Sequence, residues 1–365
     1  MTINNKKTNN MQKKLIFLAG AAIAAMASCT KVEPVQSTAS QAQISFQPLS
    51  AVQTKASPIT KYETNTGDFK VWAWYQSSSV SDTFTPGLSQ DYTVYMNGEV
   101  CKYKDGNVDD GAGAGAWFPE NTYYWPKNGR LTFSAYYPAD AVLSVNARNG
   151  ITVTDYSVST DNSKQVDLMY SDRVFDKTSS TQTDANQDYD GVDIKFNHAL
   201  AAVDFSVKTD KDYSDAIKVS EITIENAYSQ GDFAEGYTDG TATNKASAAW
   251  SNQKTSAEYS VYKGTSAAVN TASAKIGETS ILLPQNFSDD IKVTVKYGIK
   301  FGMDYLPQTA EFKLKGTHNT TGTEISGWEM GKWYHYTFTF SLDQVYFAPS
   351  VENWDEVNVE DLLVK

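Results

Sequence analysis

The sequence predicts an all-β body of antiparallel strands, most simply arranged as two β-sandwich domains. Three observations carry that expectation. The chain holds 22 Tyr, 16 Phe and 8 Trp among many Thr, Ser, Val and Gly, a composition suited to pleated, half-buried surfaces. Apolar residues recur at period two in many short runs, as strands with one buried face require. No window beyond the N-terminal segment sustains the 3.6-residue stripe of an amphipathic helix.

The elements follow in chain order. Ile44 and Phe46 alternate with polar neighbours and form a first strand. Phe69, Val71, Ala73 and Tyr75 fall on one face of the next run, with Lys70, Trp72 and Trp74 on the other. Residues 92–96, Asn97-Gly98 and 99–103 predict a hairpin, because Asn-Gly supplies the positive φ of a type I′ turn. Leu131, Phe133, Ala135 and Tyr137 alternate, as do Val192, Ile194 and Phe196. Between Phe196 and Val203 the phase slips by one residue, which asks for a bulge or bend before Val203, Phe205 and Val207. Later strands are marked by Ile222 and Ile224, by Ile291, Val293, Val295 and Tyr297, and by Tyr334, Tyr336, Phe338 and Phe340. Residues 344–348 and 351–359 hold spaced apolar side chains at the C-terminal end. The polar stretch 177–191 separates domains expected at 43–190 and 191–365.

The N-terminal segment reads as an address. Lys13 and Lys14 precede an uncharged apolar stretch from Leu15 to Ala27, too short to span a bilayer comfortably. Met26-Ala27-Ser28-Cys29 then resembles a bacterial lipobox. Residues 1–28 are expected to be a signal peptide, with Cys29 as the lipidated N-terminus. Residues 29–42, rich in Ser, Thr and Gln, would form a lipid-attached flexible linker. Met11 is an alternative start to Met1, since residues 1–10 do not look like an n-region.

The full chain carries a net charge of −12, with only three arginines, Arg130, Arg148 and Arg173. Loss of residues 1–28 removes Lys6, Lys7, Lys13 and Lys14 and no acid, which takes the charge to −16. Such a surface is unsuited to tracking nucleic acid and is repelled by anionic headgroups. Membrane attachment would come from the lipid. Cys101, the one cysteine of the mature body, is expected to be a buried inert thiol.

Residues that carry chemistry are scarce. Residues 111–117, GAGAGAW, lack both the third glycine of a dinucleotide fingerprint and a Walker lysine. Asn186, Asp188 and Asp190 before Gly191 resemble the front of a calcium loop. The twelfth position is Asn197 in place of the bidentate Glu, so a solvated acidic turn is expected. His198, His318 and His335 show no metal-ligand spacing. No Gly-x-Ser-x-Gly elbow is present. No catalytic residue, metal site or cofactor is expected. Surface aromatics forming a sugar platform, and a hydrolase using unmarked carboxylates, are the competing readings.

Several segments in order resemble the fimbrillin-like proteins of Bacteroidales, the type V pilins and their accessory subunits. They are Ile44-Ser45-Phe46, Thr54-Lys55-Ala56, Tyr124-Trp125-Pro126, LTFSAYYP at 131–138 and DLMYS at 167–171. FNHALAAVDFSV at 196–207, LLPQ at 282–285 and WEMGKWYHYTF at 328–338 complete the series. The resemblance implies two transthyretin-like antiparallel β-sandwich domains and a fimbrial subunit at the outer membrane or cell surface, structural or adhesive. It implies cleavage by a trypsin-like protease after a basic residue, removal of the first strand, and replacement of that strand by one from the next subunit. Here the processing residue would be Lys55, with Lys61 as the alternative; the family more commonly offers Arg. Implied partners are other fimbrial subunits, the outer membrane through the lipid on Cys29, and a host or bacterial surface receptor or glycan. The alternative is a surface lipoprotein that does not polymerise, either a fimbrial anchor or a glycan-binding protein.

Overall fold

The computed structural model describes residues 43–49, 62, 65–79, 84, 92–104, 116–178, 191–213, 215–236, 248–319, 321–342 and 344–354. These residues form an all-β fold. The strands of the first half are β1 (Phe46–Leu49), β2 (Phe69–Gln76), β3 (Thr93–Lys104), β4 (Ala116–Pro119), β5 (Arg130–Tyr137), β6 (Ser144–Asn146), β7 (Gly150–Ser157), β8 (Met169–Ser171) and β9 (Val174–Lys177). Those of the second half are β10 (Val192–His198), β11 (Ala201–Thr209), β12 (Ile217–Ala234), β13 (Ala249–Ala268), β14 (Ala274–Leu282), β15 (Gln285–Asn286), β16 (Lys292–Phe301), β17 (Asp304–Lys313), β18 (Gly327–Trp328), β19 (Lys332–Phe340) and β20 (Val345–Asn353). One 3-10 turn, Asn162–Lys164, is capped by the Asp161 side chain.

The first sheet runs β2-β3-β4-β1-β10-β8-β5-β9, and β2 also pairs with β5. Seven strands therefore close into a ring, with β9 appended to β5. Closure leaves no free edge within the ring. Its interior is an aromatic-rich core of Phe46, Phe69, Trp117, Trp125, Phe133 and Phe196 with the aliphatic side chains between them. A four-stranded sheet, β14-β11-β19-β20, faces a six-stranded sheet, β17-β16-β12-β7-β6 with β13 on the other edge of β12. Phe312 of the larger sheet meets Phe338 and Phe347 of the smaller at 5.4 and 5.0 Å, and Tyr297 meets Phe340 at 5.1 Å. These two sheets make a sandwich around a second, larger core.

Two pairings are parallel: β1 with β10, and β11 with β19. Parallel neighbours need long connections, and both pairs join segments far apart in the chain.

β2 is buried on both faces. Phe69, Val71 and Ala73 enter the ring core, while Trp72 and Trp74 enter the sandwich core. β2 is thus a wall shared by the two cores. Segments also cross the join expected near residue 190. β10 lies beyond that join but belongs to the ring, whereas the β6–β7 hairpin precedes it but pairs with β12. The phase slip after Phe196 corresponds to a bend at Ala199-Leu200, where the chain passes from the ring to the four-stranded sheet.

The expected hairpin at Asn97-Gly98 is corrected. β3 runs unbroken through both residues, and Gly98 is a bulge between the pairs Val71↔Glu99 and Trp72↔Asn97. Turn and bulge both need a positive φ, here +74° at Gly98. Continued pairing with β2 on both sides makes it a bulge, and the Trp72 ring packs against it, since a Cβ on Gly98 would stand 2.9 Å from Trp72 Cζ2. The residues 116–117 that close the GAGAGAW stretch are the start of β4, with Trp117 buried in the ring core.

Candidate strand-exchange site

β1 is a four-residue stave that completes the ring between β4 and β10. Phe46 is opposite Trp117 of β4 in antiparallel register and opposite Val192 of β10 in parallel register. The extended residues just before it add further bonds. The Ile44 N–H donates to the Tyr123 carbonyl (2.8 Å), and the Val192 N–H donates to the Ser45 carbonyl (2.8 Å). Gln43 forms an isolated bridge with Tyr124. The expected alternation is what seats the strand. Ile44 and Phe46 are fully buried, and Phe46 meets Phe133 and Phe69 edge-on at 5.5 and 6.2 Å.

The walls of the slot are themselves fixed. The Tyr95 hydroxyl donates to the Tyr124 carbonyl (2.5 Å) and the Tyr123 hydroxyl to Glu99 Oε1 (2.8 Å). Burial, and then the Glu99 carboxylate, push the Tyr123 phenol above its ordinary range, so it remains a donor. On the other side, Gly191 lets β10 approach. A Cβ there would stand 2.6 Å from Phe46 N, at a φ of +94°. Gly191→Ala should therefore lower stability by about 1–3 kcal/mol, read as a fall in the urea midpoint. An unchanged midpoint would mean that β1 is not held this closely.

The chain beyond β1 returns to the same core. Tyr62 is buried, stacks on Phe196 at 5.2 Å and meets Trp117 at 5.1 Å. Its hydroxyl donates to the Gly67 carbonyl (2.7 Å). Burial pushes that phenol up. The segment carrying the candidate processing residues is thus anchored in the ring core at both ends.

Cys29, Lys55, Lys61 and the candidate calcium-loop residues Asn186, Asp188 and Asp190 lie outside the described residues. Cys101 is fully buried, and burial, then the Glu99 charge, push its thiol up. A protonated, enclosed thiol is a poor nucleophile. The histidines stand apart. His198 is buried, with Nδ1 2.7 Å from Asp167 Oδ2 and its ring stacked on Trp354 at 3.9 Å. His318 forms an isolated bridge with Glu324. His335 bonds to Asp204 and Glu352 on the outer face of the four-stranded sheet. No cluster of three or more His, Cys, Asp or Glu that could hold a metal occurs among the described residues. No helix among them is long and apolar enough to cross a membrane.

At the other end of the chain, β20 pairs antiparallel with β19 alone among the described strands, from Val345↔Phe340 to Asn353↔Lys332. It carries Pro349 mid-strand, a residue tolerated at sheet edges because it offers no N–H.

Comparison with known proteins gives the family. A crystal structure of a fimbrial protein from Bacteroides vulgatus is similar to this chain with a TM-score of 0.57 at 16% identity, covering 86% of this chain and 99% of that one. A crystal structure from Bacteroides uniformis, of a protein described as a cell adhesion protein, matches with a TM-score of 0.50 at 17% identity, covering 87% and 100%. At such identities the likeness speaks to the fold. No curated protein matches. The model of the fimbrillin-like family matches residues 54–354, which span both cores, and the chain belongs to that family.

Proposed function

We propose that this fimbrial or adhesion subunit is exported as a lipoprotein through Cys29 and assembles by donor-strand exchange at the slot filled by β1. The observation that supports this most is the ring itself. β1 is a short stave, joined to β10 over four residues and to β4 at one. Excision would leave β4 and β10 with unpaired backbone groups and open a groove beside Phe69 and Phe133. An extended segment from another subunit, with apolar side chains at period two, would restore both. Because the contact is heterologous, it propagates into a filament.

Lys55 is the better of the two processing residues. Lys61 directly precedes the buried Tyr62, whereas Lys55 stands well away from both Tyr62 and Leu49 in sequence. A protease needs several residues of extended chain on each side of the cut. The replacing strand would come from the C-terminal end of another subunit, residues 344–348 or 351–359. We further propose that the body divides into β-domains at about 43–190 and 191–365, with β10 and the β6–β7 hairpin placed across the division. The protein would sit at the outer membrane or in the fimbrium, with a surface receptor or glycan as an additional partner.

Two experiments test this. Cys29→Ala should abolish metabolic labelling with a fatty acid; persistent labelling would defeat the lipoprotein assignment. Electron microscopy of cells should show surface filaments that vanish on deletion of the gene. Filaments unchanged by the deletion would leave a non-polymerising surface lipoprotein as the better account.

A further inference from the structure

We propose that His335 is a proton-operated clasp that fastens the C-terminal edge strand β20 to the four-stranded sheet. β20 overlaps the segments offered above as the replacing strand, but the clasp is a property of the folded subunit and its test does not depend on assembly.

The geometry comes from a row of side chains across the outer face of that sheet, one from each strand. Lys275 belongs to β14, Asp204 to β11, His335 to β19 and Glu352 to β20. Asp204 is opposite His335 in register, and its side chain is only 7% exposed. Asp204 Oδ1 is 2.7 Å from His335 Nδ1, and Oδ2 takes the Trp333 indole N–H (3.2 Å) with Lys275 Nζ 3.9 Å away. His335 Nε2 is 3.1 Å from Glu352 Oε1. Both ring nitrogens therefore face carboxylate oxygens. Only the doubly protonated ring can donate to both. A neutral ring that keeps its proton on Nδ1 for Asp204 turns a lone pair towards the Glu352 carboxylate, and the link to β20 becomes repulsive.

The charged groups facing His335 are Asp204 from β11 and Glu352 from β20, with Lys275 of β14 beyond Asp204. Burial alone would lower the imidazole's pKa, but the hydrogen bonds and charges of Asp204 and then Glu352 outweigh it and hold the pKa above its ordinary value of 6.5. The sign follows by linkage. The contribution to stability is fully present below the unfolded-state value and is lost as pH rises through the higher folded-state value. β20 is thus fastened in acid and loosened in mild alkali. Lys332 of β19 also bonds to Asn353 of β20, the residue after Glu352.

The test is hydrogen exchange of the full mature chain at about pH 5.5 and about pH 8.5, corrected for intrinsic rates. Protection of residues 345–353 is compared with that of the central strand β16. The ratio should fall roughly tenfold with rising pH, the size of one charge-assisted hydrogen bond. In Glu352→Gln the amide can serve either ring state, so the ratio should be flat; in His335→Gln it should be flat as well. A flat ratio in the wild type, or the same fall in both variants, would overturn the proposal. So would a His335 ring that titrates below its ordinary value by NMR.

Discussion

Phe46→Ala should destabilise the protein by about 3–5 kcal/mol, the range for removing a buried phenylalanine ring from a packed core. Phe46 is fully buried and lies edge-on to both Phe69 and Phe133. Its backbone is also the point where β1 meets β4 and β10 together. The substitution therefore leaves a cavity at the seam that closes the ring, where neighbours held on both sides have little freedom to collapse into it. Chemical denaturation of the mature chain checks the figure. A loss below about 1 kcal/mol would mean that the slot is filled loosely.

Trp354→Ala should cost a similar amount, about 3–5 kcal/mol, from the opposite end of the chain. Trp354 is buried, stacks on the His198 ring at 3.9 Å with an interplanar angle of 3°, and donates its backbone N–H to the Gly331 carbonyl (2.9 Å). His198 ends β10 in the ring and is bonded to Asp167 just before β8. The indole thus covers a buried His–Asp pair next to the bend where the chain leaves the ring for the four-stranded sheet. Removing it strips that pair of its apolar cover and frees the end of β20. Thermal melting should show one lowered transition. A melt indistinguishable from wild type would mean that this layer carries no stability.

Much of this arrangement was legible from period-two alternation, and the reasons for the exceptions are physical. Strands β5, β10, β11, β16 and β19 announce themselves because each sends alternate apolar side chains into a core. β13 does not, because twenty residues rich in Ser, Thr, Lys and Ala leave few side chains buried beyond Tyr259 and Val261. Asn97-Gly98 misleads because local chemistry fixes only the sign of φ, and pairing with the partner strand β2 on both sides carries the chain straight on. The double burial of β2 was hidden in plain sight: Trp72 and Trp74 on the face opposite Val71 mark a strand with two cores. Ring closure through a parallel β1–β10 pair joins residues almost 150 positions apart, which no local pattern encodes. The His335 row needs the register of four strands at once. The motifs that carried the family resemblance turn out to touch: Asp167 of DLMYS bonds to His198 of FNHALAAVDFSV.

The central claim is that β1 is a removable stave, and limited trypsin digestion of the delipidated chain tests it most directly. N-terminal sequencing should find a new terminus at Ala56, and native electrophoresis should then show a ladder of oligomers that the uncut chain does not form. Lys55→Ala should suppress both the new terminus and the ladder. If Lys55→Ala and Lys61→Ala each leave processing and filament formation unchanged, β1 is a permanent strand and assembly through this slot is wrong.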